Sequence, residues 1–256
     1  MIWQGTTGRS GAIVKVQRQM QQQKTQRIIP ISSPNFISDS ALDKPLDLAG
    51  IFGNLNPLAL EIGCGTGQFV LDQARQQPGM NFLAIDIYNK GCLKTCAKVD
   101  EAGINNVRVM RIEARWLMDR GLSPESLAAV YINCPDPWPK KRHRQRRLVN
   151  RNFLITLAHY LKPGGDLFFS TDFDDYAADV AEHFRVVSGY DNMLQTAWVH
   201  SLPGYPLSKY MRRFLDRGQQ IYFIHQRRDA AVCREKLPAP MIQRGFRTDW
   251  QKAEND

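Results

Sequence analysis

The sequence predicts an α/β fold with a mostly parallel central sheet covered by helices. Three observations carry that prediction. Short apolar runs at 58–62, 81–87, 106–112, 126–133 and 166–171 alternate with stretches of helical spacing. The first run turns directly into a glycine-rich loop, Glu61 to Gly67. The next two runs lead into acids, Asp86 and Glu113, at the same end. Strands separated by helices of about ten to fifteen residues pair in parallel and bury both faces of the sheet.

Taken in order, LALEI (58–62) is the first strand. QFVLDQARQQ (68–77) is a helix with Val70 and Ala74 on its inner face, closed by Pro78. NFLAIDI (81–87), NVRVMRI (106–112) and SLAAVYIN (126–133) are the next strands, with a helix over 89–102. Val149, Phe153, Leu157 and Tyr160 recur every three to four residues and mark another helix. Pro163-Gly164-Gly165 is a turn before the strand DLFFST (166–171). FRVVS (184–188) and QIYFIHQ (220–226) read as closing strands. The main domain spans 51–226. Residues 1–50 form a weakly structured arm, Gln-rich over 16–26 and broken by Pro30, Pro34 and Pro45. Ile28, Ile29, Phe36 and Ile37 are the arm residues apolar enough to dock on the body. Residues 227–256 are a polar tail.

The apolar fraction of 43 %, with 12 Phe, 8 Tyr and 5 Trp in 256 residues, supports a large core and excludes disordered and disulfide-scaffold classes. No apolar run is long enough for a membrane helix, and no leader pattern precedes the arm, so no membrane partner is expected. Five cysteines without zinc spacing read as reduced thiols in a cytoplasmic protein, and no metal is expected. Charge is more telling. The net +9 rests largely on KKRHRQRRLVNR (140–151), which holds seven Lys and Arg and no acid. Lys141, Arg142, Arg144, Arg146 and Arg147 span several phosphates of a polyanion as the stretch leads into an amphipathic helix. Lys140 and His143 lie nearest the pocket. A plain solvated basic face is the competing reading.

Gly63, Gly65 and Gly67 allow a tight turn and close approach of a ligand. Asp86 is placed to accept from a ribose diol, and Glu113 from an adenine amino group. A nucleoside-bearing cofactor fits this edge. Glu61 beside the loop disfavours a pyrophosphate and suits a cation, as in S-adenosylmethionine methyltransferases with a Rossmann-like sheet. An NAD-dependent dehydrogenase stays open on these residues alone. Past the fourth strand, Pro135, Pro137 and Pro139 stiffen the segment that carries Asp136 and Trp138. Trp138 either walls a pocket or packs in the core.

EIGCGTG (61–67), PDPWPKKRHRQRR (135–147), LKPGG (161–165) and Thr171-Asp172 together resemble the bacterial tRNA (guanine-N7-)-methyltransferase family over about 55–225. The resemblance implies a Rossmann-like S-adenosylmethionine-dependent methyltransferase fold. It also implies S-adenosyl-L-methionine as cofactor, S-adenosyl-L-homocysteine as its product, and tRNA as partner, methylated at N7 of a variable-loop guanosine. By the same resemblance Glu61, Asp86, Glu113 and Asp136 are cofactor-pocket acids, and Asp136 is the catalytic candidate. Lys140 and Asp172 contact the substrate, and so do Ser208 and Tyr210 in the C-terminal motif. The sequence departs from the family at three points. Glu113 stands where Asp is usual, Cys134 where Phe is common, and Met211 where the family has Glu. A small-molecule methyltransferase and a catalytically silent tRNA-binding homologue are the alternatives. Monomer and homodimer are both compatible with the sequence.

Overall fold

The computed structural model describes residues 28–39, 42 and 45–240. The Gln-rich stretch 16–26 and the tail from 241 onward lie outside the described residues. The first half of the body is built from β1 (Phe36–Ile37), α1 (Leu48–Phe52), β2 (Leu58–Ile62), α2 (Gln68–Gln76), β3 (Asn81–Asp86), α3 (Asn89–Glu101), β4 (Val107–Arg111) and α4 (Ala114–Gly121). The second half follows with β5 (Leu127–Asn133), a 3₁₀ turn at Lys141–Arg146, α5 (Arg151–Ala158), β6 (Leu161–Thr171), α6 (Asp174–Val186), β7 (Tyr190–Asn192), α7 (Lys209–Leu215) and β8 (Tyr222–Arg228). The strands form one sheet in the order β1-β4-β3-β2-β5-β6-β8-β7. Its first six members are parallel, β8 alone runs against them, and the edge strand β7 pairs antiparallel with β8 and so points the same way as the first six.

Strand alternation divides the core into two layers. Leu60, Ile62, Leu83, Ile85, Val130 and Ile132 face the layer completed by α4, α5 and α6. Ala59, Phe82, Ala84, Ala129 and Tyr131 face the layer completed by α2 and α3. Side chains on successive residues point to opposite faces, so a strand buried on both sides is apolar throughout. Glu61 breaks that rule in β2, buried opposite Ala84 and Tyr131.

Several expectations from sequence are corrected. FRVVS is not a strand down to Val186. Tyr176, Ala177, Val180 and Phe184 are buried at helical spacing and carry α6 through it. The Pro163-Gly164-Gly165 turn lies inside β6, where Leu127 and Ala129 face Leu161 and Asp166 across a bulge. The folded body extends beyond 51–226 at both ends. Phe36 pairs with Val109, Leu42 is buried in the core, and β8 continues to the buried Arg228.

Candidate active site and nucleic-acid interface

Strand order reverses at β2, whose neighbours are β3 and β5. Such a switch point opens a crevice at the carboxyl ends of the strands. The glycine loop sits there. The amides of Gly63 and Cys64 both donate to the Ile85 carbonyl, at 2.8 and 3.0 Å. Gly65 and Gly67 take left-handed φ of 55° and 79°. A Cβ on Gly67 would lie 2.7 Å from Thr95, whereas one at Gly63 would meet nothing within 4 Å. The loop is thus packed behind and open in front.

Glu61 forms the floor. Its Oε2 is buried without a hydrogen-bond partner, and so is Asn133 Nδ2. Burial, reinforced by the charge of Asp86, pushes the Glu61 carboxyl up to about 8. Asp86 braces the loop: Oδ2 accepts from Gly65 N at 2.8 Å, and Oδ1 from Tyr88 N at 2.9 Å. Its pKa is raised, chiefly by burial and in small part by the charge of Asp136. Glu113 is the N-cap of α4. Its Oε2 accepts from Arg115 N and Trp116 N, and its Oε1 pairs with the Arg115 guanidinium at 3.0 Å.

Asp136 is exposed just past β5, and Asp172 is half-buried just past β6. The two strands pair through Asn133 and Ser170, which brings their carboxyl ends side by side. Burial raises the Asp172 carboxyl. Burial, aided by the Asp172 charge, pushes the Cys134 thiol up to about 12. Cys134 and Trp138 hold positive φ of 46° and 44°, so Asp136 has a strained non-glycine residue two positions to either side. Trp138 is half-buried, 5.9 Å edge-on from the His143 ring and 4.9 Å under the Arg146 guanidinium.

The basic stretch is a 3₁₀ turn, not an α-helix. Lys140, Lys141, Arg142 and Arg146 are exposed, and His143 and Arg144 are half-buried. Arg142 Nε donates to His143 Nε2 at 3.3 Å. The His143 pKa is lowered by partial desolvation and by Arg146, Arg142 and Lys140, so the ring stays neutral amid the cations. Arg144 pairs with Asp175 Oδ1 at 2.6 Å. Arg147 corrects the sequence reading outright. It is 1 % exposed and ion-paired to Asp175 and Asp179, so it reaches no phosphate.

Helix α7 overhangs the loop. A side chain at Gly65 would meet the Tyr210 ring at 3.8 Å. Arg212 of α7 reaches Asp72 of α2 at 3.4 Å. Ser208 caps α7 through Met211 N, and the Ser208 amide donates to the Met211 thioether at 3.3 Å. Met211 fills the capping-box place of an acid while lying wholly buried with Ile221 and Phe223. Among the described residues, no group of three or more His, Cys, Asp or Glu is arranged to hold a metal ion. None of their helices is long and apolar enough to cross a membrane.

A family model described as "Putative methyltransferase" matches residues 55–224. A tRNA (guanine-N(7)-)-methyltransferase of Syntrophotalea carbinolica is 58 % identical over 227 residues, covering 88 % of this chain and 97 % of that protein. The chain belongs to the tRNA (guanine-N7-)-methyltransferase family. A second relative of that name, from Geobacter metallireducens, is 55 % identical over 206 residues, covering 80 % of this chain and 98 % of its own. In shape, the chain is similar to the crystal structure of the 16S rRNA methyltransferase KamB, with a TM-score of 0.55 at 14 % identity, over 80 % of this chain and 97 % of that one. That likeness concerns the fold alone, the Rossmann-like sheet of S-adenosylmethionine-dependent methyltransferases. Within this family framework, sequence reasoning missed the Ser208 cap and the Arg147 ion pairs, and gave Glu113 a ligand contact where the structure shows a helix cap. The acids Asp175 and Asp179, four apart on α6, were the available signal for a buried cation.

Proposed function

We propose that this chain methylates N7 of a guanosine in the variable loop of tRNA, with S-adenosyl-L-methionine as donor, in the cytoplasm. The observation that carries the reading is one crevice edge with two contrasting acids. Glu61 is a buried carboxylate with an orphaned oxygen at the loop. Asp136 is an exposed carboxylate beside the basic turn. The first fits a cationic cofactor, because a buried acid with an unsatisfied oxygen gains from a positive charge. Asp86 and Glu113 keep free lone pairs beyond their structural bonds for a ribose diol and an adenine amino group. When bound, the cofactor supplies an electrophilic methyl group on a sulfonium.

Guanine N7 has an in-plane lone pair and no proton, so the chain needs no general base. Its task is to position the purine and answer the positive charge that grows on it. Asp136 does this at N7, and Asp172 accepts from N1–H or the amino group. Lys140, Arg142, Arg146 and His143 line the approach, and the cations hold the tRNA backbone. The base leaves its tertiary contacts to enter.

Purified protein incubated with labelled S-adenosylmethionine and unmodified tRNA tests the reading. Nucleoside analysis should return 7-methylguanosine from the variable loop. Methyl transfer to small amines without transfer to tRNA would overturn it, as would tRNA binding without cofactor consumption.

A further inference from the structure

We infer that Arg147 is a positioning residue for methyl transfer, holding Asp136 in place through the Pro137 carbonyl. The inference rests on the reading of Asp136 as the carboxylate that faces guanine N7. Arg147 Nε donates to Pro137 O at 2.9 Å, one residue past Asp136. The other side of the guanidinium is fixed to α6. Nη2 meets Asp175 Oδ2 at 2.6 Å, and Nη1 meets Asp179 Oδ2 at 3.0 Å and Asp175 O at 3.5 Å. Its face lies 4.6 Å over the Tyr176 ring, and the Tyr176 hydroxyl accepts from Val149 N at 3.0 Å. Arg144 shares the Asp175 carboxylate.

The segment needs such an external hold. Pro135, Pro137 and Pro139 have no amide to donate, so they cannot brace the turn through their own N–H groups. Cys134 and Trp138, two residues to either side of Asp136, hold positive φ, a strain that persists only where the surroundings enforce it. The Pro137 carbonyl, next to Asp136, is a handle that Arg147 holds. Helix α6 begins at Asp174, two residues after Asp172. One buried guanidinium therefore ties the turn of Asp136 to the helix that follows Asp172, and so sets the spacing of the two carboxylates around the base. An arginine fork suits this, since it binds a carbonyl and two carboxylates in fixed directions where an ammonium is a single point.

Single-turnover methylation by Arg147→Lys, measured per folded molecule, tests the assignment. The transfer rate should fall about 10- to 100-fold, because small misplacements of a reacting group cost that much. Affinity for S-adenosylhomocysteine and for tRNA should change less than about twofold, since Arg147 is shielded from both. In an Asp136→Asn background the same change should cost almost nothing further. Asp179→Asn, at a half-exposed anchor, should give a smaller loss in the same rate and carries the test if Arg147→Lys does not fold. A lowered melting temperature with an unchanged transfer rate would overturn the inference. A full additional loss in the Asp136→Asn background would overturn it too, while leaving the role of Asp136 intact. A normal rate in Asp136→Asn alone would instead sink the underlying reading of the site, and the inference with it.

Discussion

Asp136 is the one acid of the crevice edge that combines exposure with a stiff backbone, and its charge is felt by the buried Asp86. Asp136→Asn keeps the size and removes the charge. Turnover should drop roughly 10²- to 10³-fold, the scale of one strong transition-state contact, while cofactor and tRNA affinities fall much less. Near-normal single-turnover chemistry would reduce Asp136 to a structural part of the turn. In the sequence this acid stood out by its place between prolines at the end of a strand, and the family resemblance made it the catalytic candidate. The same reasoning could not separate Arg146 from Arg147. They are neighbours in sequence, yet one stacks on Trp138 in the open and the other is buried among the acids of α6. Only the direction of each side chain divides them, and a 3₁₀ turn has no sequence period from which to read it. Glu113 and Ser208 were also chosen for their polar groups, and both turned out to cap helices.

The alternating elements were legible because continuous apolar strands and amphipathic helices carry different periods. The errors fell where the period was ambiguous. Val186-Val187 favours a strand locally, but burial of Tyr176, Val180 and Phe184 on one face decides for the helix. Three predictions belong at this scale. Replacing Lys140, Arg142 and Arg146 together by Ala should weaken tRNA binding broadly and reduce its salt slope by up to about two to three units. Titrations of tRNA binding at several salt concentrations check this, and an unchanged slope would make the turn a solvated face. Arg147→Ala should leave that slope alone and instead lower stability by roughly 1–3 kcal/mol, because it removes a buried guanidinium's charge-assisted hydrogen bonds while its acid partners stay about a third exposed. The third concerns the loop joining β2 to α2. Gly67→Ala puts a methyl 2.7 Å from Thr95 in a left-handed backbone. Overpacking of about 1–3 kcal/mol adds to the backbone strain, so denaturant unfolding should show a clear loss and cofactor affinity should fall as the loop shifts.

Across the whole molecule, the crevice is maintained against the stability of the fold. β2 is buried on both faces, and Glu61 inserts an acid into it. In the unfolded chain that carboxyl titrates near its ordinary 4.5, whereas in the fold it titrates at about 8. Between those values the folded protein holds a proton that the unfolded chain has released. Stability from this group therefore falls as pH rises from about 4.5 to about 8, and then levels off. Asp86, also raised, acts in the same direction. Glu61→Gln removes the first contribution and leaves most of the second. Without cofactor, the variant should be the more stable protein at pH 8.5, by an amount on the order of a few kcal/mol. The advantage should shrink toward pH 5, where the wild-type acid is protonated in the fold and mostly ionised only in the unfolded chain. Urea unfolding of both proteins across that range measures the difference. A stability gap that does not change with pH would mean that Glu61 is not held neutral in the empty crevice. The same variant should lose S-adenosylmethionine affinity most at high pH, where only the wild type offers a full negative charge to the cation. Both outcomes together would mark the crevice as a binding site and not as part of the core.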